Sequence, residues 1–186
     1  MQRIPSTLWL TGLSGAGKTT LALALAESLT AQGVPCRVLD GDVVRKQLCP
    51  DLGFSREDRS ENVRRVAQWC AQINNTGTWA IAALISPYRK DRDSARQIVG
   101  ASRFFEVHMA TPLSVCEARD PKGLYKRARA GAITNFTGIS DAYEPPQAPA
   151  LSFDTGCEST ESCVAATLAL LRGTDEMLPA TIRGNC

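Results

Sequence analysis

The sequence predicts an α/β domain in which helices cover both faces of a five-stranded parallel sheet, giving three layers. Short runs rich in β-branched and aromatic residues alternate along the chain with helical patterns, the arrangement typical of parallel sheets. We expect the strands at 7–11, 37–39, 79–85, 104–109 and 151–153. The length of 186 residues suits a single domain over the whole chain, because one continuous core can serve it. Ligands of such folds bind at the carboxyl ends of the strands.

Three helices are predicted between and after these strands. The first begins in the apolar stretch from Thr20 and ends before Gly33, which is followed by a proline two residues later. A long helix is expected over 59–74, with its end at an Asn-Thr-Gly sequence, and a last helix over 158–171. Each helix therefore connects or follows strands, as the layered fold requires.

A glycine-rich segment, GLSGAGKT, connects the first strand to the first helix. Its glycines allow a tight turn whose backbone N–H groups can approach an anion, and the helix that follows adds positive potential. Lys18 can reach the β- and γ-phosphates of a nucleotide, and the Thr19 hydroxyl is placed to ligate Mg²⁺. A glycine-rich turn without function is the alternative, but a strand before and a helix after favour a phosphate loop. The predicted nucleotide-binding residues are Gly12, Leu13, Ser14, Gly15, Ala16, Gly17, Lys18, Thr19 and Thr20.

This loop places the predicted fold in the P-loop NTPase class and makes ATP or GTP the expected ligand. A net charge of +2 is too small to indicate nucleic acid or an anionic membrane as partner. The apolar runs are far shorter than a membrane span, and the first strand begins too early for a cleavable signal, so we expect a cytosolic protein. Seven cysteines without zinc or redox spacing are expected to be mostly reduced and buried.

Two carboxylates, Asp40 and Asp42, follow the second strand in the sequence LDGDVVR. One of them is explained by a helix-capping turn, which leaves the other at the mouth of the phosphate site. An aspartate there can hold Mg²⁺ through water or accept the proton of an attacking hydroxyl. Asp42 is the first candidate for this role and Asp40 its support.

The segment 51–65 combines an aromatic residue with a basic helix face. Arg59 and Asn62 are three residues apart and therefore share one side of a helix. A solvated basic face is the common meaning of such a pattern. The preceding Phe54 favours a nucleotide site instead, with the ring stacked on a base and the polar groups on its phosphate.

Ser86 and His108 are the remaining isolated candidates. Ser86 stands at the end of the third predicted strand. A Ser-Pro turn is the simple explanation of this serine, and contact with an oxyanion is the functional explanation. No histidine lies nearby to activate this serine. His108, the only histidine, falls within the fourth strand and is expected to be structural.

A basic segment interrupted by glycine and proline, about 119–146, lies between the fourth and fifth strands. A disordered surface loop is one interpretation. Aromatic residues and helical spacing within the segment favour a mobile lid that closes over the polyphosphate and excludes water. Arg119 and Lys122 are then candidate phosphate or base contacts, and Phe136 a second stacking wall.

Taken together, the motifs GLSGAGKT, DGDVVR, DLGFSREDRSENVRR, ISPYR, DPKGLYKRARAG and FTGISDAYEPP closely resemble those of adenylylsulfate kinases. The resemblance covers about 8–171 and implies MgATP-dependent phosphorylation of the 3′-hydroxyl of adenosine 5′-phosphosulfate. It implies ATP contacts for the phosphate loop, Arg119 and the region of Cys157, with Lys18, Asp42 and Ser86 catalytic and Thr19 and Asp42 near the metal. It implies substrate contacts for Asp40, Asp42, Arg45, Phe54, Arg59, Asn62, Ile85, Ser86, Lys122 and Phe136.

The resemblance also suggests a homodimer, no nucleic-acid or membrane partner, and an ATP sulfurylase as a possible partner enzyme. Members of the family are commonly assigned a phosphoserine at the position of Ser86. We expect direct transfer to the substrate, because in-line transfer needs only positioning, Mg²⁺ and cationic stabilisation. The alternatives are another small-molecule kinase, acting on a nucleoside monophosphate or gluconate, and a catalytically silent nucleotide sensor.

Overall fold

The computed structural model describes residues 4–176 and contains a five-stranded sheet in the order β2-β3-β1-β4-β5. Every neighbouring pair is parallel. The strands are β1 (Thr7–Gly12), β2 (Cys36–Asp40), β3 (Trp79–Ala83), β4 (Phe104–Met109) and β5 (Leu151–Phe153). The predicted parallel sheet is confirmed, and the bounds of its last two strands agree with the prediction.

The helices outnumber those that the sequence predicts. They are α1 (Lys18–Ala31), α2 (Gly41–Leu48), α3 (Arg56–Asn75), α4 (Arg89–Val99), α5 (Leu113–Arg119), α6 (Leu124–Arg129) and α7 (Thr160–Glu176). Helices α2, α4, α5 and α6 were not predicted individually. Three of them are short, and α4 buries only Arg92, Ala95 and Val99, so its apolar residues are too few to show helical spacing.

Helix α3 begins three residues earlier than the sequence pattern indicates. Ser55 and Asp58 form a reciprocal capping box in which each side chain accepts a hydrogen bond from the other residue's backbone N–H. These bonds satisfy donors that a helix start otherwise leaves unpaired. The cap therefore decides the start of α3, although its first apolar residue, Val63, comes about two turns later.

Two apolar clusters lie on opposite faces of the sheet. Leu8 and Leu10 of β1 belong to the cluster that α1 and α7 cover. Trp9, which points to the other face, packs in the cluster that includes Val63 and Val66 of α3. Both faces of a parallel sheet are covered in this way, which explains why the inner strands β1 and β3 are buried at every position.

The carboxyl ends of all five strands meet at one edge of the sheet. The phosphate loop follows β1, and helix α2 follows β2 directly from Asp40. Ser86, Thr111 and Thr155 come within a few residues of the ends of β3, β4 and β5. This edge is where ligands of parallel sheets bind, and it collects most of the candidate residues.

Candidate active site

The phosphate loop has the backbone geometry that its glycines predict. Gly12, Gly15 and Gly17 adopt φ angles of 149°, 75° and 90°. A Cβ atom on Gly12 would lie 2.6 Å from the carbonyl oxygen of Met109, so the neighbouring strand excludes any side chain there. Glycine is required at this position both for its φ and for the close approach of β4.

Lys18 is held inside the loop by backbone carbonyls. Its Nζ donates to the carbonyl oxygens of Gly12 at 2.9 Å and Leu13 at 2.6 Å. The protein around the ammonium withdraws it from water, and this desolvation lowers the pKa of Lys18 to about 8. The ammonium is therefore still mostly protonated at neutral pH, positioned in the loop and poorly solvated, which strengthens its attraction for a phosphate.

The structure places the two predicted carboxylates in different roles. The Thr19 hydroxyl donates to Oδ2 of Asp40 at 2.7 Å, while Oδ1 of Asp40 accepts the N–H of Asp42 at 3.0 Å. Asp40 is thus the helix-capping residue of α2 and also the carboxylate in contact with the phosphate loop. Asp42 instead forms an ion pair with Lys122, which connects α2 to the segment between α5 and α6.

Thr19 and Asp40 offer hard oxygen donors suited to Mg²⁺. Within residues 4–176, no cluster of three or more histidine, cysteine or acidic side chains could hold a metal by itself. In nucleotide-dependent enzymes, Mg²⁺ is commonly held by one or two protein oxygens together with substrate phosphates and water, and Thr19 and Asp40 could supply such oxygens. The assignment of Asp42 to the metal stays a prediction.

Arg45 and Arg59 surround the ring of Phe54, which is 59 % exposed. The guanidinium carbons of Arg45 and Arg59 lie 4.4 Å and 5.7 Å from the ring centroid. Arg45 also donates to the carbonyl oxygens of Leu52, at 3.3 Å, and Gly53. An exposed aromatic ring next to two cations provides a surface for a planar anionic molecule.

Arg59 and Asn62 share one side of α3, as their spacing predicts, and the structure buries both of them. Arg59 donates to the backbone carbonyl of Asn135 at 2.6 Å and lies 3.7 Å from the carboxylate of Asp141. Oδ1 of Asn62 is buried without a hydrogen-bond partner in the described part of the chain, as is Oγ1 of Thr137. A buried acceptor without a partner is unusual and indicates a place for a ligand or a water molecule.

Two predicted substrate contacts lie inside the protein. Phe136 is 8 % exposed and packs edge-on against Tyr125, with 5.1 Å between ring centroids. Its ring is part of the core that covers α1, and its role as a stacking wall stays a prediction. The carbonyl oxygen of Ile85 accepts a 2.8 Å hydrogen bond from the Thr11 hydroxyl, so this backbone is fixed to the end of β1.

Ser86 is enclosed by its neighbours. Its Oγ accepts a hydrogen bond from Nε1 of Trp9 at 3.1 Å and donates to Oγ1 of Thr11 at 3.0 Å. The residue is 3 % exposed and has a φ of 40°, a left-handed backbone that few non-glycine residues adopt. The hydroxyl thus holds a turn in place. Its partners Trp9 and Thr11 could not be recognised from the sequence, since both look like core positions of β1.

The backbone of Ser86 is held by a buried ion pair. Arg92 binds Glu106 at 2.7 Å and donates to the carbonyl oxygens of Ser86 at 2.7 Å and Glu144 at 2.6 Å. One guanidinium therefore connects α4, β4, the end of β3 and the segment before β5. Sequence reasoning missed Arg92, because it stands among charged residues of α4 that look solvent-facing.

The segment 119–146 is partly anchored in this structure. Tyr143 contacts the hydroxyl of Thr11 at 3.0 Å, and the hydroxyl of Tyr88 donates to Asp141 at 2.8 Å. A cavity of about 500 Å³ lies between Leu13 of the phosphate loop and residues 138–143. The segment therefore borders the phosphate site, as a lid would, and its mobility stays a prediction.

Arg119 and Cys157 lie at the β5 end of the site. Arg119 donates to the backbone oxygen of Gly15 at 3.3 Å and to that of Thr155 at 2.6 Å. Cys157 is exposed, with its Sγ 4.0 Å from the carboxylate of Asp154. Their predicted contact with the adenine of ATP stays a prediction.

His108 has the structural position that the sequence predicts. It lies in β4, stacks on Tyr143 with 5.9 Å between ring centroids, and its pKa is lowered by burial and by Arg92. Six cysteines are described, all free and four of them buried, while Cys186 lies outside the described residues. No helix among residues 4–176 has the length and hydropathy needed to cross a membrane.

Comparison with known proteins identifies close relatives. The model of the adenylylsulphate kinase family matches residues 4–154. An adenylyl-sulfate kinase from Enterobacter sp. strain 638 is 51 % identical over 168 residues, which cover 90 % of this chain and 83 % of that protein. An adenylyl-sulfate kinase from Synechococcus sp. strain JA-3-3Ab is 49 % identical over 172 residues, or 92 % of this chain and 97 % of that protein.

Solved structures agree with these matches. The APS kinase of Mycobacterium tuberculosis, solved in complex with AMPPNP and APS, superposes with a TM-score of 0.87 at 41 % identity and covers 92 % of this chain and 99 % of that one. A gluconokinase from Sinorhizobium meliloti, at 18 % identity and a TM-score of 0.60, covers 94 % of this chain and 97 % of that one. At that identity the likeness extends to the fold alone.

Proposed function

We propose that this chain, which belongs to the adenylylsulphate kinase family, transfers the γ-phosphate of ATP to the 3′-hydroxyl of adenosine 5′-phosphosulfate. The products are 3′-phosphoadenosine 5′-phosphosulfate and ADP. One combination of residues carries this proposal: a phosphate loop with Lys18, a carboxylate of Asp40 bonded to Thr19 of that loop, and an exposed Phe54 ring next to two arginines.

The site supports the two halves of this reaction separately. Amides of the loop and the Lys18 ammonium can bind the triphosphate, because they combine hydrogen-bond donors with positive charge. Arg45, Arg59 and Asn62 offer donors to the anionic part of the acceptor, and the Phe54 ring can stack on its adenine. A nucleotide acceptor uses all of these groups, whereas a sugar acid has no base for the ring.

Asp42 is the proposed general base. Its carboxylate is exposed, at the start of α2, and pairs with Lys122. An acceptor hydroxyl that enters between them would give its proton to Asp42, while Lys122 is released to the substrate anion. Mg²⁺, held at Thr19 and Asp40, would neutralise charge on the β- and γ-phosphates.

We propose direct transfer without a phosphoserine. Ser86 is buried, and its hydroxyl already accepts from Trp9 and donates to Thr11. A nucleophilic role would require breaking both bonds and turning the side chain outward, and a dianionic phosphate at that place would have to be desolvated. The hydroxyl is better suited to fixing the backbone at the end of β3.

Family likeness and the site together support further proposals about state and location. We propose a cytoplasmic enzyme that requires Mg²⁺ and forms a homodimer. A longer APS kinase from Thiobacillus denitrificans, which is hexameric, is 34 % identical over 92 % of this chain and 29 % of that one. Light scattering of the purified protein measures the assembly directly.

A coupled assay tests the proposed function. Purified protein with MgATP is offered adenosine 5′-phosphosulfate, AMP or gluconate, and ADP release is recorded alongside the phosphorylated product. We expect turnover with the sulfated nucleotide alone and none with Lys18→Ala. Turnover with AMP or gluconate instead of the sulfated nucleotide would show that the chain is a kinase of another specificity. ATP binding without any phosphate transfer would support the alternative of a nucleotide sensor.

A further inference from the structure

The carbonyl groups of the phosphate loop all point toward donors of the protein. Those of Gly12 and Leu13 accept from Lys18. The carbonyl of Ser14 accepts from the hydroxyl of Tyr125 at 2.9 Å, and that of Gly15 from Arg119 at 3.3 Å. The carbonyl of Ala16 accepts from Thr155 at 3.2 Å. The carbonyls of Ser14, Gly15 and Ala16 are therefore held by side chains from outside the loop, while those of Gly12 and Leu13 are held by Lys18 within it.

Fixing these carbonyls also fixes the amides that face a nucleotide. The peptide unit is planar and trans, so its C=O and the following N–H point in opposite directions. Holding the Ser14 carbonyl outward thus turns the N–H of Gly15 inward, and holding the Ala16 carbonyl does the same for Gly17. Both amides lack a hydrogen-bond partner among residues 4–176 and are left for an anion.

Thr155 is the centre of the hydrogen bonds behind Ala16. Its Oγ1 contacts Oγ1 of Thr111 at 2.9 Å and accepts from Arg119 at 2.8 Å, and its N–H donates to Thr111 at 3.1 Å. With one proton on each hydroxyl, Thr111 donates to Thr155 and Thr155 donates to Ala16. Each hydroxyl proton is then used once, Oγ1 of Thr155 accepts from both Thr111 and Arg119, and the longer contact of Thr111 with Ala16, 3.4 Å, is not needed.

Packing leaves little freedom for these two side chains. A Cβ on Gly17 would lie 3.1 Å from Cγ2 of Thr155, so the threonine closes the back of the loop where α1 begins. Tyr125 is 1 % exposed, and its ring packs against Phe136. Their hydroxyls are therefore held at the loop by the rest of the side chain.

We propose that Thr155 and Tyr125 are positioning residues of the phosphate loop, which aim the amides of Gly17 and Gly15 at the phosphates of the nucleotide. The inference rests on the proposed binding of ATP and extends it to residues outside the loop motif. It does not depend on which acceptor is phosphorylated. A shape-conserving substitution that removes only the hydroxyl should therefore weaken nucleotide binding while the fold is retained.

The test uses calorimetry to compare the wild type with its variants in their affinity for magnesium-bound AMPPNP, measured without the acceptor substrate. Thr155→Val and Tyr125→Phe are each expected to raise the Kd about five- to tenfold, the scale of one lost hydrogen bond. Thr155→Ser, which restores the hydroxyl, should bind as the wild type does. Thr167→Val is the matched control, because Thr167 is fully buried and its hydroxyl donates at 2.8 Å to Cys163 within α7, away from the loop.

The outcomes separate positioning from stability. Melting temperatures of all variants are measured with the affinities, and the KM for MgATP is expected to rise while the KM for the acceptor is unchanged. Unaltered AMPPNP affinity in Thr155→Val and Tyr125→Phe would overturn the proposal, as would an equal loss in Thr167→Val. If Thr155→Val does not fold, Tyr125→Phe decides alone. A wild type that binds AMPPNP tightly but phosphorylates no sulfated nucleotide refutes the proposed function and leaves this inference standing.

Discussion

The hydroxyl of Thr19 donates a 2.7 Å hydrogen bond to Oδ2 of Asp40, which joins the start of α1 to the end of β2. This contact brings a carboxylate from the end of β2 to the residue that the loop motif assigns to the metal. It separates the roles of the two aspartates, because Asp40 lies on the nucleotide side and Asp42 on the side of Lys122. Each role has its own measurable consequence.

Asp40→Asn should weaken the affinity of the enzyme for Mg²⁺. Asparagine still caps α2, so the helix is retained while the charge beside Thr19 is lost. We expect the Mg²⁺ concentration for half-maximal activity to rise about tenfold or more, the scale of losing a metal-supporting group. Asp93→Asn on the exposed side of α4 is the control, and an unchanged Mg²⁺ titration in Asp40→Asn would contradict the assignment.

Asp42→Asn should lower kcat by about 10²-fold or more, the scale of losing a general base. The affinity for AMPPNP should change little, because Asp42 pairs with Lys122 rather than with the loop. Steady-state rates at saturating substrates check this. Near-normal turnover would refute Asp42 as the base while leaving the nucleotide site intact.

Nucleotide affinity should depend on pH through Lys18. Desolvation lowers its pKa to about 8 in the free protein, and a bound triphosphate raises it again by stabilising the charge. The protonated form is the one that binds the nucleotide. The affinity is therefore highest below about pH 8 and falls as the pH rises above that value. Calorimetry with AMPPNP between neutral and alkaline pH measures the fall.

The Lys18→Met variant is the control for this pH dependence. It should bind weakly at every pH and show a flatter profile, because the titrating group is gone. A wild-type affinity that stays constant across the alkaline range would show that Lys18 does not lose its proton there.

Phe54→Ala should raise the KM for the acceptor about tenfold, because stacking on one base contributes roughly 1–3 kcal/mol. The ring is 59 % exposed, so the melting temperature should change little. Leu23→Ala is the matched control, since Leu23 is 57 % exposed on α1 and should alter neither quantity. An unchanged acceptor KM in Phe54→Ala would exclude the ring from the substrate site.

Arg92→Met should destabilise the fold by about 3–5 kcal/mol, since it leaves the buried carboxylate of Glu106 without its partner. The variant also frees the carbonyls of Ser86 and Glu144. The midpoint of denaturant unfolding gives the value. Arg129→Met, which breaks the exposed pair with Glu117, should lower the stability far less, because water screens that pair, and an equal loss in both variants would contradict the argument.

The sequence by itself determined the parallel sheet, the phosphate loop and the family, because these depend on local patterns. Short runs rich in β-branched and aromatic residues, glycines at fixed spacing before a helix, and a lysine followed by threonine can all be recognised along the chain. Arg59 and Asn62 on one side of α3 follow in the same way, from the helical repeat alone. The sequence also predicted a helix-capping aspartate after β2, but it did not identify Asp40 as that residue.

Only the tertiary structure decided which distant groups meet. The contact of Thr19 with Asp40, the enclosure of Ser86 by Trp9 and Thr11, and the hydroxyls of Thr155 and Tyr125 behind the loop join residues far apart in sequence. A hydroxyl or an indole in a strand looks like core until the sheet order sets its neighbours. The physical reason is that such bonds form where the ends of parallel strands converge, and that convergence has no signature in any one segment.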